Sequence, residues 1–263
     1  MNNHIIKESL KYIVLFFITL TGALFQSCDA DYSNCTEFNA LPHRNDLVSV
    51  GDSYIALSSG NCENITVYLA ELMGQHYNDY SVSGHKIDDI IGQYNGISQN
   101  FHYLLLDGGG NDILQNCTDA ELPLCERTIN YVIDQAVQWI PSVYDEGVLE
   151  IIWIGYPNLN CGGNYEQYNG AVDFGMDLML PALQNLGIHT IDIREAFHDG
   201  GSRTNCDYIA SDGLHPSAMG SYLIAELIYD KFVELGIVVP GEGDDNQNND
   251  TPDETGGCWL RSL

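Results

Sequence analysis

The run LEIIWIGYP (149–157) is apolar almost throughout and closes on glycine, tyrosine and proline. It lacks the polar face of a surface helix, so it reads as a strand covered on both sides. Four further short runs read as strands: LVSV (47–50), DYSVSG (79–84), HYLLLDGGG (102–110) and IHTIDI (188–193). Helical patterns lie between and after them. ITVYLAELM (65–73) places Ile65, Leu69 and Leu72 on one face, and KIDDIIGQY (86–94) predicts a short helix. In RTINYVIDQAVQWI (127–140), Ile129, Val132, Ile133, Ala136, Val137 and Ile140 recur at helical spacing, and Pro141 is expected to stop the helix. FGMDLMLPALQNLG (174–187) predicts a helix with a bend at Pro181. PSAMGSYLIAELIYDKFVELG (216–236) predicts a long final helix with proline near its first turn. This alternation predicts an α/β fold: a five-stranded parallel sheet between two layers of helices. Ligand sites in such sheets lie beyond the carboxyl ends of the strands.

The ends of the chain read differently. Lys7 and Lys11 precede the apolar stretch YIVLFFITLTGALF, which has the length of a secretion signal and not of a membrane span. Residues 1–27 are therefore expected to be a signal peptide. LFQSC resembles a lipoprotein signal with Cys28 as the lipidated residue, although Phe25 stands where leucine is usual; cleavage after Ala30 is the alternative. Residues 28–44 form a lead-in, 45–240 the domain, and 241–263 an acidic disordered tail without an apolar cluster.

Nine Lys plus Arg face 37 Asp plus Glu, a formal charge of −28. That charge argues against nucleic acid as a partner, and leaves a lipid on Cys28 as the expected route to a membrane. In an oxidising compartment the cysteines are expected to pair as 35–62, 117–125 and 161–206, with Cys258 left over, although connectivity does not follow from sequence. No C-x-x-C or H-E-x-x-H occurs, so neither metal nor cofactor is expected.

Four short blocks fall at strand ends or before the last helix: Gly51-Asp52-Ser53, Ser83-Gly84, Gly109-Gly110-Asn111-Asp112 and Asp212-Gly213-Leu214-His215. Each alone is commonplace, since Gly-Asp-Ser is usually a turn and Asn111 could cap a helix. Together they supply what acyl transfer requires. A serine hydroxyl needs a base to take its proton, and His215 can be that base. The imidazole needs a carboxylate to fix its tautomer, and Asp212 is in the same loop. The oxyanion needs preset donors, which the amides of Ser53 and Gly84 and the side chain of Asn111 can provide. His85, His102 and His198 read as surface or wall residues. Tyr156, Tyr165, Tyr168 and Phe174 could wall a pocket, although ordinary packing explains them as well. Asn34, Asn64 and Asn116 sit in N-x-T sequons, which matter only in a eukaryotic source.

Ser53, Gly84, Asn111 and His215, in that order, resemble the SGNH hydrolases, or GDSL esterases and lipases, over about residues 45–236. Tyr54 takes the place of the usual leucine. The resemblance implies a flavodoxin-like three-layer sandwich and a secreted or lipid-anchored serine esterase that works through an acyl-enzyme. It also implies Ser53, Asp212 and His215 as the triad and Ser53, Gly84 and Asn111 as the oxyanion hole. Expected substrates are small-molecule, lipid or acylated-carbohydrate esters, and a monomer is expected. An acyltransferase using the same site and a silent carbohydrate-binding module are the competing functions.

Overall fold

A computed structural model describes residues 32–56, 62–117, 122–200 and 204–239. Cys28, Cys258, the expected signal peptide and the acidic tail from 241 lie outside the described residues. The elements are α1 (Thr36–Ala40), β1 (His43–Val50), α2 (Ser53–Ala56), α3 (Ile65–Met73), β2 (His76–Asp79), α4 (Ile87–Asn95) and β3 (Tyr103–Leu106). They continue with α5 (Gly110–Asn116), α6 (Leu122–Asp145), β4 (Glu150–Ile154), α7 (Asn169–Gln184), β5 (His189–Ile191) and α8 (Ala218–Glu234). Short 3₁₀ turns span Glu166–Tyr168 and Cys206–Tyr208.

The strands form one sheet in the order β2-β1-β3-β4-β5, and every pairing is parallel. Leu104, Leu105 and Leu106 of β3 and Ile151, Ile152, Trp153 and Ile154 of β4 are fully buried. Successive strand residues face opposite sides, so burial of every one means that helices cover both faces. On the flanks, α3 packs on α8 and α6 on α7. This is the expected three-layer α/β fold.

Four local expectations are corrected. The second strand is residues 76–79, not 79–84. Asp79 ends the regular strand, because its carboxylate accepts the Ser81 N–H at 2.9 Å, the Ser49 hydroxyl at 2.8 Å and the Thr66 hydroxyl at 3.0 Å; beyond it the Tyr80 and Val82 N–H groups still bond the Ser49 and Gly51 carbonyls. The helix expected to stop at Pro141 runs on to Asp145. Val143, beyond the proline, is fully buried beside Trp139 and Ile140, so packing outweighs one lost hydrogen bond. The glycine-rich end of β3 leads directly into α5, a helix the periodicity did not announce.

Cysteine pairing is the fourth. Cys35–Cys62 and Cys161–Cys206 are disulfides, as expected. Cys117 and Cys125 are not bridged and are buried thiols. Cys117 closes α5, with its Sγ donating to the Ile113 carbonyl at 3.2 Å, so its thiol serves the helix end instead. Among the described residues no helix is long and apolar enough to cross a membrane.

Candidate active site

Strand β1 ends at Val50, and Gly51-Asp52-Ser53 turns it into the single turn α2. Asp52 holds the turn: its Oδ1 accepts the Tyr54 N–H at 2.9 Å and its carbonyl the Ala56 N–H at 3.1 Å. Its own N–H donates to Asp107 Oδ1 at 2.7 Å. Gln93 of α4 clamps Gly51, accepting its N–H and donating to its carbonyl, both at 2.8 Å. Ser53 is only 8% exposed, in a turn fixed from three sides.

Gly84 follows β2 with φ +81°, a conformation that disfavours a side chain. Its loop is tied at both ends. Val82 N–H donates to the Gly51 carbonyl at 3.0 Å, and the His85 carbonyl accepts Asn111 Nδ2 at 3.0 Å. Asn111 lies in the first turn of α5, and its Nδ2 also donates to Asp52 Oδ2 at 3.1 Å. Tyr156, just past β4, donates its hydroxyl to the same Oδ2 at 2.9 Å. The structure thus ties the blocks containing Ser53, Gly84 and Asn111 into one hydrogen-bonded unit.

Asp212 and His215 share a loop before α8. Asp212 Oδ2 meets His215 Nδ1 at 2.6 Å, while Oδ1 accepts the N–H groups of Leu214 and His215 at 2.9 and 3.0 Å. Partial burial works against the charge on Asp212. The His215 hydrogen bond and the two backbone amides more than offset it, holding the carboxyl below its usual range. Nε2 of His215 is buried and makes no hydrogen bond. The loop is closed by Ala210 N–H to the His215 carbonyl at 2.7 Å, and Cys161–Cys206 ties the chain leading into it to the loop after β4.

A cleft of about 360 Å³, open to solvent, joins the two parts. Ser53, Asn111, Asp52 and Tyr156 border it with Leu214, which lies between Asp212 and His215. Leu114, Pro157, Leu159 and Val172 complete an apolar wall. Of the four aromatic residues considered as pocket walls, Tyr156 lines this cleft; Tyr165, Tyr168 and Phe174 do not. His85 reaches Gln93 Nε2 through Nδ1 at 2.7 Å and so belongs to the clamp. His102 precedes β3 at the far end of the sheet, its N–H on the Asp46 carbonyl, and His198 bridges to Thr204. Of the sequon asparagines, Asn64 caps α3 by accepting the Val67 N–H at 2.9 Å.

Sequence reasoning missed Gln93 and Asp107. Asp107 is completely buried, with Oδ2 unpartnered. Burial raises its carboxyl well above the usual range, and the neighbouring charge of Asp52 pushes the same way. The only hint in the sequence is a carboxylate ending a wholly apolar strand. Among the described residues no group of three His, Cys, Asp or Glu side chains could hold a metal ion.

The sequence profile of the GDSL-like lipase/acylhydrolase family matches residues 47–228. An acetylxylan esterase from Geobacillus stearothermophilus superposes with a TM-score of 0.56 at 16% identity, over 74% of this chain and 96% of that one. Catalytic mutants of that esterase alter one serine, one aspartate and one histidine. A lipase/acylhydrolase from Enterococcus faecalis gives a TM-score of 0.56 at 16% identity, over 74% of this chain and 97% of its own. At such identities these structures speak for the fold alone. No curated protein matches the sequence.

Proposed function

The chain belongs to the GDSL-like lipase/acylhydrolase family and is an ester hydrolase of the SGNH type; from that premise we propose that Ser53 is its nucleophile, His215 its general base and Asp212 the carboxylate that orients the base. Ser53 Oγ attacks the ester carbonyl carbon as its proton passes to Nε2 of His215. Asp212, on Nδ1, fixes the tautomer and steadies the imidazolium. The amides of Ser53 and Gly84 and the side chain of Asn111 receive the oxyanion. The bond to the leaving alcohol then breaks, and Nε2 returns its proton to the alcohol oxygen. Water, deprotonated by His215, releases the acid from the acyl-enzyme.

One observation carries this reading. The Nε2 atom of a histidine already hydrogen-bonded to a carboxylate is buried without a partner, in a loop that borders the cleft of Ser53. The ring nitrogen that should serve the hydroxyl is left available, and such contacts commonly tighten only once substrate binds. The apolar wall of the cleft suits a short acyl chain. With an acetylxylan esterase among the similar folds, we favour acetylated carbohydrate as the substrate class. Residues 45–240 then form the catalytic domain. Two disulfides are consistent with an extracytoplasmic location, and export with lipidation at Cys28 fits that location.

The test is hydrolysis of p-nitrophenyl acetate, butyrate, octanoate and palmitate, with labelling by a fluorophosphonate. Turnover that declines with chain length, and label on Ser53, are the expected results. A folded protein inert to every ester and to the label would overturn the assignment. A product formed only with an added sugar acceptor would mark an acyltransferase instead.

A further inference from the structure

Asn111 has two amide protons, and both are engaged in the structure. One goes to the His85 carbonyl and the other to Asp52 Oδ2. An oxyanion needs one of them. The bond to His85 holds the loop of Gly84, which supplies another oxyanion donor, so releasing it would disturb the hole. The proton on Asp52 is therefore the one to turn. That move withdraws a donor from a carboxylate only 2% exposed, and a buried charge left short of hydrogen bonds is unfavourable.

A second donor stands on the same oxygen. Tyr156 gives its hydroxyl to Asp52 Oδ2 at 2.9 Å, from just past β4, two strands away from β1 in the sheet. Tyr156 is buried, and its ring meets Tyr54 edge-on at 5.3 Å between centroids. The chain leaves room for it. A Cβ at Gly110, beside Asn111, would lie 2.9 Å from Tyr156 Cζ and 3.1 Å from its hydroxyl. Behind Asp52, Asp107 accepts the Asp52 N–H and offers no positive charge. Once Asn111 turns away, Tyr156 is the side-chain donor left on Oδ2.

We propose that Tyr156 is a positioning residue of the oxyanion hole: by keeping a hydrogen bond on Asp52 Oδ2, it frees the Asn111 amide proton for the transition state. The proposal rests on the esterase reading above. Without the tyrosine hydroxyl, Asp52 holds Asn111 more tightly, and the loss falls on the chemical step and not on substrate binding.

The experiment is a double-mutant cycle of Y156F and N111A on p-nitrophenyl acetate, with kcat and KM resolved and Tm measured for each protein. The expected result is a roughly tenfold fall in kcat for Y156F, with KM and Tm little changed. N111A should lose on the order of 10²–10³ in kcat. In the N111A background, Y156F should cost nothing further, because the group it acts through is gone. A purely structural tyrosine would lower kcat by the same factor in both backgrounds, and that result overturns the proposal. Wild-type kcat in Y156F, or a Y156F protein that no longer folds, overturns it as well. A wild type without turnover or fluorophosphonate labelling is a different failure: it removes the esterase reading, and this proposal falls with it.

Discussion

The two parts of the site are built in opposite ways. Ser53 and Asn111 are held by side chains from distant parts of the chain: Gln93 on Gly51, Asp107 on Asp52, and Tyr156 on the other side of Asp52. Asp212 and His215 are held largely by their own loop, through bonds spanning two to five residues, and the Asp212 side chain is 47% exposed. The difference follows from the work proposed for each. An oxyanion forms where donors are already fixed, so its surroundings must be rigid before the reaction. A histidine that changes charge is better served by a carboxylate that water still reaches, because a fully buried pair would be costly to ionise.

This contrast can be broken from either side. Ser53→Ala should abolish turnover, a fall on the order of 10⁴-fold or more in kcat, with Tm nearly unchanged. Full turnover in that variant would remove Ser53 from the chemistry. Asp212→Asn should lower kcat by roughly 10³–10⁴. Its stability should move by less than about 1 kcal/mol, because the Asp212 carboxylate is half-exposed and its bonds are local. A denaturant midpoint far below wild type would show the loop to be a structural support.

On the rigid side the effects should invert. At Gly51 a Cβ would overlap Asp107 Oδ1, so Gly51→Ala should cost about 1–3 kcal/mol of stability and, by shifting the turn that carries Ser53, lower kcat of the folded protein as well. Activity loss without a change in the unfolding curve would contradict that.

Asp107→Asn should have the smallest effect and the most telling one. The carboxyl of Asp107 is raised on folding, so the unfolded chain ionises first as pH rises. Its contribution to stability is complete below the carboxyl value of the unfolded chain, about 4, and drains away as pH climbs towards the raised value. The asparagine variant lacks that titration. Its stability relative to wild type should improve as pH rises above about 4. Parallel stability curves would mean that Asp107 is ionised in the fold.

Short-range patterns are what the sequence makes legible. Ser53, Gly84, Asn111 and the Asp212–His215 pair could be proposed because glycine, a turn and a D-x-x-H spacing are local signals, and the structure places the first three in one hydrogen-bonded unit and the last two in one loop. The parallel sheet was legible because LLL and IIWI lack the alternation of a strand with one wet face. What the sequence hid is contact between distant segments. Nothing near Gln93 announces that its amide will clamp Gly51, and nothing near Tyr156 announces Asp52, 104 residues away. The same holds for Pro141, where the burial of Val143 decides, and for Cys117, whose partner is the Ile113 carbonyl and not Cys125. The bounds of strand β2 were misplaced because the side chain of Asp79 interrupts the regular ladder, and past that point only Tyr80 N–H to the Ser49 carbonyl and Val82 N–H to the Gly51 carbonyl keep the chain beside β1.

The bridge between Cys161 and Cys206 bears on time as well as shape. The groups that fix the Ser53 turn and the proposed oxyanion donors are all encoded by residue 156, while the proposed base lies at 215. A chain emerging from its amino end therefore carries its proposed nucleophile early and its proposed base late. The two stretches stapled by the bridge are the one that follows Tyr156 and the one that leads to Asp212. Where thiols stay reduced, the base loop lacks its staple, and the chain should be a poor hydrolase of the esters around it. Reduction of that bridge should therefore lower kcat, and unchanged turnover in the reduced protein would show that the loop of Asp212 and His215 stands without its staple.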